Sequence, residues 1–315
     1  MKQGQKLEGR KCPFKLGTIF TKERSKILFI CTFLVPVLLL YFICDVVPIF
    51  SSFFSSFHKW SGFGNMEYIG WKNYVNVLKD PVFFQAIKND LIYVLGKEIL
   101  IVPITVLFAV ALTRLHLKKT EKNVYRYLFY IPNILSVSIT GIMWAFIYDP
   151  YNGLLNGFLK LIGLERLIPA DGWLVDYTMP SIIMVATWCG IGYFMIVMIS
   201  AINSISGEIY ESARVDGAGE WAQLWNITLP AVWEQLRFVI VQIIIGTLGN
   251  YSLAMILANG GVNGSGMVMG LYVYQYGLSS ATPKVGYANA AAVLLMIISS
   301  SLVLITNRLL NKEEV

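Results

Sequence analysis

Charge is what this sequence has least of. Only 14% of its 315 residues are Asp, Glu, Lys or Arg, 56% are hydrophobic, and mean hydropathy is +0.61. A soluble domain of this length needs far more charge on its surface. Histidine is rarer still, at two residues, His58 and His116. Neither H-E-x-x-H nor G-x-S-x-G occurs, so zinc-protease and serine-hydrolase chemistry find no support. The glycine-rich run NGGVNGSGMVMG (259–270) has no Lys followed by Ser or Thr and is not a phosphate-binding loop. It reads as a flexible connection. Cys12, Cys31, Cys44 and Cys189 lack the spacing of a disulfide framework or a zinc site. The expectation is a non-enzyme with no metal and no cofactor of its own.

What the sequence does have is long apolar runs. Bilayer hydrocarbon about 30 Å thick asks for about 20 apolar residues per helix. Six windows qualify, roughly 27–50, 91–113, 128–148, 180–202, 236–258 and 285–307. The second is the weakest, because Lys97 and Glu98 sit side by side in it. Near the outer end of a span, such a pair is expected to snorkel toward the interface. The first window is too long for a secretory h-region of about 7–15 residues and reads as an uncleaved anchor, ended by Ser51, Ser55 and Ser56.

Orientation follows from the loops. The tail 1–26, expected to be partly disordered, carries Lys2, Lys6, Arg10, Lys11, Lys15, Lys22, Arg24 and Lys26 against two acids. Between windows two and three stand Arg114, Lys118, Lys119, Lys122 and Arg126 against Glu121. By the positive-inside rule both termini, including residues 311–315, are cytoplasmic. The net charge of +6 is then mostly a topology signal. No basic face on a folded domain suggests a nucleic-acid partner. The external loop 51–90 is rich in Phe, Trp and Tyr, as interfacial segments are.

The loop between windows four and five, EIYESARVDGAGEWAQLWNITLP (208–230), departs from the basic pattern. Glu208 to Val215 holds good helix formers, Asp216–Gly217 is a turn or C-cap signal, and Ala218 to Ile227 can again be helical. Trp221, Leu224 and Trp225 fall at i, i+3, i+4 and form an apolar stripe. Pro230 suits the first turn of the next helix. Two short helices thus meet at a glycine elbow. An interfacial helix on an anionic leaflet favours Lys and Arg, whereas this one is acidic, so a protein groove is the better partner.

This loop resembles the EAA motif of ABC importer permeases, E-A-A-x-x-x-G followed after nine residues by I-x-L-P. The matching residues are Glu211, Ala213, Gly217, Ile227, Leu229 and Pro230, with Asp216 and Ala218 matching the sugar-permease variant and Ser212 departing from it. Leu34–Val35–Pro36 through Pro48, then Gly70, Asn73 and Tyr74, then Arg126, Pro132 and Trp144, are similar to further signatures of that family. So are Gly260–Gly261 and Gly286–Tyr287–Ala288, although Val262 replaces the usual Pro. The family is the carbohydrate-type permeases, on the side of the large maltose permease subunit and the glycerol-phosphate permease.

The resemblance implies an all-α membrane protein of six spans, the type I ABC importer permease fold, in a bacterial cytoplasmic membrane. It implies alternating access for sugars or oligosaccharides. The implied partners are a second permease chain, two ATPase subunits that use ATP and Mg, and an external sugar-binding protein. Glu211 would pair with a basic residue of the ATPase, and Gly217 would supply the elbow. Gly190 and Tyr193 in span four, and Thr247 and Asn250 in span five, resemble pathway-lining positions; helix packing is the competing role for each. Ala186 stands where that relative has an Asn. The alternatives are an ABC permease for another solute, such as a glycerol-phosphate ester or an amino acid, or an independent secondary transporter. The last leaves the acidic loop unexplained.

Overall fold

The structure, a computed structural model, describes residues 16–114 and 118–311, with side chains from residue 24 onward. Cys12, His116, the tail up to Lys15 and residues 312–315 lie outside the described residues. The chain divides into two units, one running to Ser51 and the other beginning at Ser52.

The described residues of the first unit are helical. Helix α1 (Leu16–Tyr41) passes through a single π-turn (Phe42–Val46) into α2 (Val47–Ser55). Arg24–Ser55 is apolar enough to cross a membrane. Ser51 lies inside this helix, and Ser55 is its last residue, with Ser56 in the turn that follows.

The second unit opens with a two-stranded hairpin, β1 (His58–Lys59) against β2 (Glu67–Tyr68), followed by α3 (Lys72–Val77). Asn73 Nδ2 donates to the carbonyls of Ser56 and His58 at 2.8 and 2.9 Å, and the Tyr74 and Ser56 hydroxyls are 2.7 Å apart. These contacts fix the entry to α4 (Pro81–Arg114). Asp80 begins α4: its Oδ1 accepts the Val82 N–H at 2.9 Å, and Pro81 needs no partner in the first turn. Its Oδ2 accepts the hydroxyls of Tyr272, Tyr276 and Tyr287 at 2.7, 3.3 and 3.1 Å.

Helices α5 (Lys119–Ile134) and α6 (Val137–Ile147) meet at a 96° bend. The third apolar window is therefore a broken element. Leu135 and Ser136 are extended, and the Ser136 hydroxyl accepts the Ile139 N–H to start α6. After α7 (Leu154–Leu161) and α8 (Trp173–Asp176), α9 (Thr178–Asn203) runs unbroken and packs along α4. At Gly192 any side chain would strike the carbonyl oxygen of Phe129, so glycine lets α9 approach α5 backbone to backbone.

The loop after α9 holds α10 (Gly207–Val215), α11 (Glu220–Gln223), a π-turn (Leu224–Thr228) and α12 (Leu229–Ala231). Helix α13 (Trp233–Leu248) leaves it after a 72° bend and ends at Gly249; α14 (Ser252–Ala258) restarts with Asn250 Oδ1 accepting the Ser252 N–H. The fifth window is thus interrupted at 249–251. The run 259–270 is also pinned in place. Asn89 Nδ2 donates to the carbonyls of Gly264 and Met267 at 2.8 and 2.7 Å, and Asp90 Oδ2 accepts the Met269 N–H at 3.0 Å. Its glycines supply positive φ at Gly260, Gly261 and Gly264, which a fold-back of this tightness demands. Helices α15 (Met269–Tyr274) and α16 (Val285–Leu310) complete the unit. Among the described residues, four helices are long and apolar enough to cross a membrane, or six when each of two bent pairs counts as one span.

Candidate functional site: a broken-helix cavity and an exposed elbow

The elbow is built by a Schellman closure. The Ala218 N–H bonds the Ala213 carbonyl at 2.8 Å and the Gly217 N–H bonds the Arg214 carbonyl at 3.1 Å. Gly217 sits at φ +82° with no heavy atom within 4 Å of where a Cβ would stand. Glycine is needed there for its backbone conformation, not for space. Asp216 is the C-cap of α10; it does not cap the next helix, which begins after Gly219.

Sequence periodicity gives Trp221, Leu224 and Trp225 one face, but the structure separates them. Leu224 turns into the core at 8% exposure, while Trp221 and Trp225 stand 68% and 63% exposed. The π-turn beginning at Leu224 is where the α-helical period ends. Glu211 is exposed and forms no ion pair among the described residues. Ile227 and Leu229 are half-buried, and Pro230 stands exposed in the first turn of α12.

A brace holds this elbow to α4. The Arg114 guanidinium lies 3.3 Å from the centre of the Tyr210 ring, and its Nη2 donates to Gln223 Oε1 at 2.9 Å. Gln223 Nε2 donates on to the Ala218 carbonyl at 2.7 Å, and the Tyr210 and Thr228 hydroxyls are 3.0 Å apart. Tyr210 and Gln223 are buried. In the sequence Arg114 is one of several basic loop residues and carries only a topology signal. No local pattern could have revealed its contact with a residue 109 positions away.

The second feature lies where the helices break. A cavity of about 190 Å³ is lined by Tyr93 and Lys97 of α4, Asn133, Val137 and Thr140 around the α5–α6 bend, Ala186, Cys189 and Gly190 of α9, and Gly246 and Asn250 at the α13–α14 break. Lys97 stands at the middle of α4, and Gly190 at the middle of α9. Irregular backbone at membrane depth is tolerated where it lines a cavity, and discontinuous helices around a central cavity are the usual architecture of transport sites.

Of the four pathway candidates, Gly190 and Asn250 line this cavity. Thr247 is buried behind it and accepts a hydrogen bond from Lys97 Nζ at 2.9 Å. Tyr193 does not line it; its ring lies edge-on to Phe194 and is partly exposed. The sequence missed Lys97. Because α4 begins at Pro81 and not near residue 91, Lys97 is at mid-helix and points into the cavity instead of snorkelling. Glu98, half-buried, has Oε1 without a hydrogen-bond partner among the described residues. No group of three or more His, Cys, Asp or Glu side chains able to hold a metal occurs among the described residues.

Broken membrane-type helices around a central cavity, with a braced polar elbow outside them, define the membrane-spanning part of a transporter. The family of binding-protein-dependent transport system inner membrane components matches residues 99–313, and the chain belongs to that family. It is 34% identical over 273 residues to a probable ABC transporter permease protein, YurN of Bacillus subtilis, covering 86% of this chain and 91% of that one. It is 28% identical over 301 residues to the diacetylchitobiose uptake system permease protein NgcF of Streptomyces coelicolor, covering 90% and 84%. Its fold is that of a chain in the crystal structure of a bacterial ABC transporter involved in import of the acidic polysaccharide alginate. The TM-score is 0.77 at 23% identity, covering 92% of this chain and 98% of that one.

Proposed function

We propose that this chain is a permease subunit of an ATP-driven importer for sugars or oligosaccharides, forming half of the translocation pathway. It lies in the bacterial cytoplasmic membrane with both termini inside. Its partners are a second permease chain, two ATPase subunits and an external sugar-binding protein. The ATPases, which bind ATP and Mg, supply the energy, and the chain carries out no chemical step itself. The observation that carries this reading is the elbow at 208–230, with a Glu211 unpaired among the described residues and two exposed tryptophans on a surface that its own fold leaves uncovered. A groove on a motor subunit would bury Trp221 and Trp225 and give Glu211 a cationic partner. Ala213, Asp216 and Gly217 set the elbow's angle; Ile227, Leu229 and Pro230 lead into the fifth span. The similarity to a diacetylchitobiose permease supports a saccharide as cargo.

Motion follows from the brace. ATPase closure displaces the elbow, Arg114 carries that displacement into α4, and α4 bears Lys97 on the cavity wall. Gly190, Thr247 and Asn250 belong to the pathway wall in this reading, and Tyr193 to the packing beside it. The test is a single cysteine at Trp221, in a chain freed of its native cysteines, crosslinked in inverted membrane vesicles. The expected adduct is an ATPase subunit. Recovery of no nucleotide-hydrolysing protein would defeat the proposal.

A further inference from the structure

Lys97 is a cation at the middle of α4 with no anion to answer it among the described residues. Its ammonium donates to Thr247 Oγ1 at 2.9 Å and lies 5.3 Å from the centre of the Tyr93 ring. No carboxylate comes within ion-pair distance of it among the described residues. Two acids share its helix. Asp90, two turns away on the same face, places Oδ2 on the Met269 N–H and leaves Oδ1 without a hydrogen-bond partner among the described residues, and Glu98, the adjacent residue, projects about 100° around the helix from Lys97. Among the described residues no Asp, Glu, Arg or His lines the cavity; its remaining polar side chains are the neutral Asn133, Thr140, Cys189 and Asn250. Val137, the first residue of α6, is also on the wall, so the positive end of that helix adds to the lysine. Ionisable residues within membrane spans are costly and pair with one another or mark a substrate path. This one has no carboxylate pair among the described residues.

We infer that the cavity receives a carboxylate-bearing sugar unit, a uronate, with its carboxylate on Lys97. The inference rests on the reading of the chain as a sugar permease and narrows it. At about 190 Å³ the cavity is smaller than the roughly 300–1,000 Å³ of a complete ligand pocket. That suits half a pathway gripping one unit of an oligosaccharide. Asn250 uses Oδ1 on the Ser252 N–H, which leaves its amide N–H bonds for a sugar hydroxyl. Tyr93, buried beside Lys97, closes the cavity wall next to the ammonium.

The experiment uses cells expressing the whole importer, in which only Lys97 is changed. Labelled trimers of galacturonate, mannuronate and glucuronate are compared with their methyl esters, which keep size and remove charge, and with maltotriose and xylotriose. Wild type is expected to import at least one free acid over its ester, Lys97→Met to lose that import roughly tenfold or more, and Lys97→Arg to retain much of it. Equal import of acid and ester by wild type overturns the inference, as does import of neutral trimers alone. Unchanged acid import by Lys97→Met overturns it too, because selection would then lie outside this cavity. In those three outcomes the sugar reading stands. Failure to import any saccharide, with another solute accumulating, instead removes the sugar reading and this inference with it.

Discussion

Gly217 and Arg114 show what a single residue does in the elbow. Gly217 holds φ +82° in open space, so a substitution fails by backbone strain alone, about 1–2 kcal/mol for a β-branched residue. Asn visits this region more readily than other side chains. Gly217→Val is therefore expected to abolish uptake while leaving the membrane-inserted amount unchanged on immunoblots, and Gly217→Asn to retain partial uptake. Equal loss in both would shift the explanation to crowding by the partner. Arg114 acts through a planar fork stacked on Tyr210, which lysine cannot reproduce. Arg114→Lys is expected to leave ATP hydrolysis by the purified complex intact while lowering transport per ATP several-fold. A defect in insertion alone would assign Arg114 to topology. The glycine's role was legible, because Asp-Gly after a helical run signals a C-cap. The arginine's was not, since five basic residues in that loop look alike until folding brings Tyr210 and Gln223 to one of them.

At the scale of elements, hydropathy located the spans but hid their breaks. A window near 20 residues averages over a two- or three-residue interruption, and Leu135–Ser136 or Gly249–Tyr251 barely lowers its mean. Pro132 and the Gly-Asn pair at 249–250 were the available cues, and both are also tolerated in continuous membrane helices. The same averaging started α4 too late and put Lys97 near an end. The join at Asp80 was equally hidden. One carboxylate caps α4 and gathers three tyrosine hydroxyls from α15, the turn after it and α16. Asp80→Ala removes the cap and the shared acceptor, leaving the Tyr272 and Tyr287 hydroxyls only each other and Tyr276 without its carboxylate. The expected cost is about 2–4 kcal/mol, seen as a drop in the detergent-solubilised unfolding temperature. Tyr276→Phe removes only the longest of the three bonds and is expected to cost about 1 kcal/mol or less. Helix α9 gives the complementary case. Gly192→Ala places a methyl against the Phe129 backbone, which cannot yield as a side chain can. Thermal unfolding near wild type for that variant would mean α5 and α9 separate freely.

For the molecule as a whole, the elbow and the loop before α9 must lie on opposite sides of the membrane if α9 is a single span. Tyr151 is 85% exposed in that loop, and Val215 is 88% exposed on the elbow. Both sit on the second unit, so the comparison does not depend on the first. With the native cysteines replaced, a cysteine at Tyr151 is expected to react with a membrane-impermeant maleimide on intact spheroplasts. One at Val215 should react only after permeabilisation. The reverse pattern would put the acidic loop outside, away from ATP, and the basic loop holding Lys118, Lys119 and Lys122 with it. Lysine and arginine bias resists that orientation, because it would export several charges against the membrane potential at about 2.3 kcal/mol each per 100 mV. One labelling pair thus tests the sidedness on which coupling, delivery and the charge of the central cavity all depend.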